Sequence, residues 1–167
     1  MLQHRWRGRR RAGPALVVAL VCGLMAGSGA AARSGQTIIV SDDDGRVLAR
    51  LALDESRAFS LGYRNSLYGS LAEEHFVVEG GGFRLDHLSA QELAVLEEYY
   101  AVSEAPVRVA DWWSAPPAYE LVLERLTVAA TDLGERTILV GGQASLALWQ
   151  LAADSDPFVH LEVEMTR

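Results

Sequence analysis

Much of the chain beyond residue 36 alternates between apolar and polar side chains with a period of two, as strands buried on one face do. The last run is the clearest. Val159, Leu161, Val163 and Met165 fall on one side, and Phe158, His160, Glu162 and Glu164 on the other. Near the start, residues 37–40 and 46–53 flank Asp44-Gly45, which predicts a hairpin closed by a type I′ turn with positive φ at both central positions. Val47, Ala49, Leu51 and Leu53 form the apolar side of the second arm. Phe59, Leu61 and Tyr63 share one face of a third strand. Residues 73–79 make a fourth, and Gly80-Gly81-Gly82 turns it into residues 83–88. Further strands are expected over residues 107–113, closed by Pro116-Pro117, and over 137–140, which run into Gly141-Gly142. Residues 119–128 fit neither the strand nor the helix period fully.

One helix interrupts this pattern. Ser89-Ala-Gln-Glu92 reads as a capping box, and Leu93, Leu96 and Tyr100 follow at helical spacing, which predicts a short helix over residues 90–100. A bulged strand ending at Tyr99-Tyr100 is the competing reading. Many short strands with regular turns imply one antiparallel β-sandwich or barrel-like domain over residues 33–167, mainly β with that one short helix.

Residues 1–32 depart from the alternation and read as a secretion signal. Five arginines (Arg5, Arg7, Arg9, Arg10, Arg11) precede an apolar run over residues 15–25, and small residues lead to Ala30-Ala31-Ala32. The run is shorter than the roughly 20 apolar residues that cross a bilayer. The protein is therefore expected in the periplasm or cell envelope, touching membrane only through an uncleaved signal. Val21 before Cys22 argues against a lipoprotein signal, and removal of Cys22 with the signal would leave no thiol chemistry.

The precursor carries fifteen arginines against twenty-two carboxylates, a net charge of −7. Loss of the five signal arginines would leave ten against twenty-two, or −12. Such a surface disfavours nucleic acid and anionic membrane as partners. It also keeps a small exported domain soluble without further purpose.

The densest polar stretch runs from Tyr63 to Phe76, where Arg64, Asn65, Ser66, Tyr68, Glu73 and Glu74 are the candidate ligand-binding residues. Loops on a rigid scaffold carry binding groups, although Asn65 and Ser66 could equally bond their own turn. Arg64 is placed to attract an anion through its guanidinium fork. Glu73 and Glu74 are adjacent, so on a strand they point to opposite faces; an inward carboxylate would need Arg64 as its partner.

A catalytic triad can be drawn from Ser66, His75 or His87, and Asp86, but no Gly-x-Ser-x-Gly elbow accompanies it. No catalytic residue is therefore assigned. Asp42-Asp43-Asp44 lacks the alternate spacing of a calcium loop, and His75, His87 and His160 are far apart, so no metal or cofactor is expected. Trp112 and Trp113 form a possible interaction surface: on a strand one faces the core and the other its opposite side.

Residues 59–102 resemble a family of small exported bacterial proteins of unknown function, often encoded beside TRAP-type transporters of the TAXI class. The features that match are Phe59 to Tyr63, the Asn65-Ser66-x-Tyr68 step, Glu73-Glu74 before Phe76, the Gly80–Gly82 turn into Phe83-Arg84-Leu85, and Leu96-Glu-Glu-Tyr-Tyr100. Asn65 stands where family members usually have histidine, and an asparagine cannot titrate. The resemblance implies an envelope-side binding or accessory module connected with a transporter, with a transporter component or a small molecule as partner. A small hydrolase using Ser66 with a histidine, or a purely structural envelope domain, are the alternatives. If the signal is processed after Ala32, mass spectrometry of the protein from its native host will find Arg33 as the first residue; an intact N-terminus would refute that reading.

Overall fold

The computed structural model describes residues 35–152 and 157–165, all within the unit Arg33–Arg167, so the signal read over residues 1–32 lies outside the described residues. The alternating segments form two antiparallel sheets. The smaller has the order β2 (Val47–Ala52), β1 (Gln36–Ser41), β12 (Phe158–Met165) and β9 (Arg125–Ala129). The larger runs β11 (Gln143–Ala147), β10 (Thr137–Val140), β3 (Ala58–Arg64), β4 (Leu71–Glu79), β5 (Gly82–Ala90), β7 (Trp112–Ala115) and β6 (Val107–Val109). A short β8 (Val122–Leu123) pairs with the beginning of β5.

Both sheets turn their apolar faces into one core, where Ile38, Val159 and Leu161 of the smaller sheet are buried together with Phe59, Leu61 and Phe83 of the larger. Phe59 stacks on Phe76 at 5.4 Å and meets Phe83 edge-on at 5.5 Å. The expected sandwich-like, mainly β fold is the one observed. Among the described residues no helix is long and apolar enough to cross a membrane.

Several local expectations are corrected. The first hairpin closes through a three-residue loop in which only Gly45 has positive φ (78°), with Asp42 accepting from the Gly45 amide at 3.0 Å. The type I′ turn is replaced by a turn with a glycine bulge, and the register slips between Val40 and Ser41. The capping box does not form. Ser89 and Ala90 belong to β5, paired with Glu73 and Ala72 on one side and with Ser114 and Trp113 on the other. Two ladders outweigh a single cap, so helix α1 spans only Leu93–Tyr99 and its N-cap, Glu92, makes no side-chain capping bond. The strand expected over residues 107–113 is a hairpin of β6 and β7 that turns at Ala110, whose φ is 55°. Residues 119–128 lack one period because the chain changes sheets there: β8 joins the larger sheet and β9 the smaller.

Phe83 is fully buried at the contact between the two sheets. Phe83→Ala should lower the unfolding free energy by about 3–5 kcal/mol in urea; a loss below about 1 kcal/mol would show that the core is not organised around this ring.

Candidate functional site

Strict alternation along β4 sends Ala72, Phe76 and Val78 into the core and leaves Glu73 and His75 on the outer face of the larger sheet. Strand β5 begins in the same way, with Phe83 and Leu85 buried. Its register with β4 then slips by one residue between His75 and Phe76. The slip puts Asp86 and His87 together on the outer side, after which Leu88 and Ala90 return to the core.

His75 consequently faces Ser60 of β3 on one flank and His87 of β5 on the other. The two imidazoles stack with centroids 3.9 Å apart, 8° from parallel. Ser60 Oγ lies 2.7 Å from His75 Nδ1, and Ser89 Oγ lies 2.7 Å from Nε2. The Glu73 carboxylate stands 3.6 Å from Nε2 and also takes a hydrogen bond from Ser60. An ionised carboxylate only accepts, so Ser60 donates to Glu73 and receives Nδ1–H from His75. Nε2 is then left to accept from the Ser89 hydroxyl. On β5, His87 Nδ1 bonds Asp86 at 3.1 Å, and Arg84 joins Asp86 at 3.0 Å and Glu79 at 3.3 Å.

Burial, reinforced by the neighbouring His87 and opposed by Asp86, lowers the pKa of His75 from 6.5 to about 4. The imidazole is thus neutral at pH 7, as one that accepts at Nε2 must be. Burial pushes the Glu73 carboxyl above its ordinary value, against the opposing effects of His87 and the Ser60 bond.

Beside this row, on the same outer face, a cleft of about 350 Å³ opens over β10, β3 and β4. Gly62 forms its floor: a Cβ there would stand 2.7 Å from Leu139 Cδ1 and 3.9 Å from Glu73 Cγ. Leu139 and Trp149 supply apolar surface, and Glu73, Arg64 and Glu135 supply charge. Glu135 takes a positive φ of 47°, which a residue with a Cβ tolerates poorly. Its carboxylate accepts from Arg64 Nε at 3.1 Å, while Arg64 Nη1 donates to the Gly69 carbonyl at 3.0 Å.

The sequence candidates are thereby separated. Arg64 and Glu73 both line the cleft. Asn65 is buried and its Oδ1 accepts from the amides of Leu67 and Tyr68 at 3.0 and 3.1 Å, bonding its own turn. Ser66 lies exposed in that turn, and Tyr68 bonds Glu98 of α1. Ser66 is paired with neither histidine: both nitrogens of His75 are held by Ser60 and Ser89, and His87 Nδ1 is bonded to Asp86.

Glu74 points inward, opposite to Glu73. It accepts from Tyr100 Oη at 2.8 Å, Tyr100 meets Tyr63 Oη at 2.7 Å, and Arg136 Nη1 lies 3.9 Å from the carboxylate. The partner expected for an inward carboxylate, Arg64, is thus replaced by Arg136, whose guanidinium also covers the Tyr63 ring at 4.6 Å. Burial and the Glu74 charge raise the pKa of Tyr100 far above the ordinary tyrosine value. Trp112 and Trp113 are both half-buried on β7, apart from the cleft lining; Trp113 packs on the core beneath Arg108, 5.8 Å away.

Sequence reasoning missed Ser60, Ser89, Gly62, Glu135, Leu139 and Trp149. The doubled polar step Asp86-His87 in an otherwise alternating strand was the available signal for the slip that assembles the histidine row. Among the described residues no group of three or more His, Cys, Asp or Glu is arranged to hold a metal. Comparison of the chain with known protein families, curated proteins and solved structures finds no match.

The unfolded chain protonates His75 near pH 6.5 and the folded chain only near 4. Its contribution to stability is complete above about pH 6.5 and is lost as the pH falls towards 4, a span of up to about 3 kcal/mol. Glu73 acts in the opposite sense, since its raised folded pKa removes stability as the pH rises from 4.5 through that pKa. Measured in a Glu73→Gln background, unfolding free energy should fall about 2–3 kcal/mol further between pH 7 and pH 4 than in Glu73→Gln/His75→Asn. Parallel profiles for the two proteins would refute the assignment.

Proposed function

We propose that this protein is a small-molecule binding module of the cell envelope, and that its site is the cleft over Gly62 rather than the loop that follows β3. The observation that carries the reading is the cleft itself. It combines an apolar wall of Leu139 and Trp149 with charged groups at its edge, and its floor is a glycine against which Leu139 packs so closely that a Cβ would stand 2.7 Å from Leu139 Cδ1. Its volume lies within the range of small-ligand sites. Two of the polar residues singled out in the sequence, Arg64 and Glu73, reach it from neighbouring strands.

Export, and an accessory role beside a TAXI-type transporter, belong to the same proposal. They are supported by the character of residues 1–32 and by the resemblance over residues 59–102.

The hydrolase alternative gains one specific observation, the Ser89 hydroxyl directed at a neutral imidazole across 2.7 Å. Three features oppose it. Ser89 is buried, its backbone is paired to strands on both sides, and an imidazole with a pKa of about 4 is a weak general base at neutral pH.

Thermal-shift screening of the purified protein against amino acids, dicarboxylates, sugars and aromatic amines tests the binding reading. A ligand should raise Tm in the wild type and lose at least tenfold in affinity in Trp149→Ala, while Ser66→Ala binds as the wild type does. A ligand whose affinity survives Trp149→Ala but falls in Ser66→Ala would move the site to the loop.

A further inference from the structure

The charges around the cleft point to the kind of molecule it holds. We propose that the ligand is a small organic cation, a primary amine on an apolar body, with its ammonium against Glu73 and its body against Leu139 and Trp149. This rests on the cleft being the binding site.

Three ionic side chains line the cleft, and two of them neutralise each other. Arg64 and Glu135 pair at 3.1 Å, and Arg64 gives a second N–H to the Gly69 carbonyl. The guanidinium fork that the sequence offers to an anion is therefore already occupied by the protein. Glu73 remains.

The basic groups around Glu73 are engaged elsewhere. His75, on the same strand, is 3.6 Å away and neutral, held between two serine hydroxyls. Across β5, His87 is bonded to Asp86, and Arg84 to Asp86 and Glu79. From the segment before β10, Arg136 turns to the opposite face of the sheet and meets Glu74. The Glu73 side chain is only 25% exposed. Its closest protein partners are thus uncharged, although a carboxylate withdrawn from water is stabilised chiefly by a cation. The upward displacement of its pKa by burial has the same origin.

An ammonium group entering the cleft supplies that cation. An anion would meet Glu73 with its charge uncompensated. Trp149 adds an aromatic surface, which attracts cations and repels anions through its ring face. The net charge of −7 draws cations towards the protein at long range.

Calorimetry at pH 7.5 with three probes of one shape, 3-phenylpropylamine, 3-phenylpropan-1-ol and 3-phenylpropionate, decides the matter. The amine should bind at least tenfold more tightly than the alcohol, and the carboxylate most weakly. Glu73→Gln should remove the amine's advantage while leaving alcohol binding within about twofold of the wild type. This ranking in the wild type needs no variant to fold. Equal binding of all three probes, abolished by Trp149→Ala, would preserve the cleft as the site and overturn the cation. Preference for the carboxylate, lost in Arg64→Ala, would do the same. Failure of all three probes to bind at millimolar concentration would overturn the cation proposal, and loss of the Trp149 dependence for every ligand found by thermal shift would overturn the cleft reading separately.

Discussion

Strand β4 has to satisfy two environments in strict alternation, and the pieces around it are disposed accordingly. Its inner residues build the core, with one exception. Glu74 carries a carboxylate to the inner face, and a charge there needs partners from the protein. Tyr100 reaches it from the end of α1 and Arg136 from the segment before β10, while Tyr63 closes the group from β3. Helix, loop and sheet are thus tied at one carboxylate. On the outer face the same strand carries an imidazole kept neutral between two hydroxyls, with a second imidazole stacked upon it. The two faces differ in kind: a carboxylate near a guanidinium within, a carboxylate beside a neutral imidazole without.

The link between those faces is the dipeptide Glu135-Arg136. The first residue reaches Arg64 at the mouth of the cleft, and the second reaches Glu74 behind the sheet. Opposite charges on adjacent residues therefore serve opposite sides of one sheet. The positive φ at Glu135 is the local cost of this arrangement, of order 1–3 kcal/mol for a residue other than glycine. Backbone bonds hold the segment on both sides: Arg64 N donates to the Gly134 carbonyl at 2.8 Å, and the Glu135 amide to Thr131 at 3.1 Å. The edge of the cleft is thereby fixed by the main chain.

Period-two alternation made the architecture legible, because each strand is buried on one side only. Residues 158–165 and 59–63 were readable for that reason, as was the divergence of Glu73 and Glu74. Local signals failed where tertiary pairing overrode them. Ser89-Ala-Gln-Glu92 carries a sound helix start, yet Ser89 gains two neighbouring strands and an imidazole by staying in the sheet. The Asp44-Gly45 hairpin was visible while its turn type was not, since only the bulge at Val40/Ser41 reveals the loop length. The cleft was half legible. Arg64 and Glu73 stand out as charges near a turn, but Gly62, Leu139 and Trp149 look like ordinary strand residues. Their juxtaposition depends on β10 returning beside β3, a pairing between residues more than seventy positions apart that no local pattern encodes.

The placement of β12 has a consequence for how such a chain must be made. It lies inside the smaller sheet, between β1 and β9, yet among the described residues it is the last strand in the order of synthesis. Gln36 pairs with Met165, so β1 finds this neighbour only when the chain has been made as far as β12. Until then the first hairpin presents an open edge with unpaired backbone groups, a state that invites association with other chains. Closing a loop this long makes the pairing a late and slow event compared with hairpin formation. A chain that emerges from its N-terminus would therefore leave the smaller sheet open until β12 had been made.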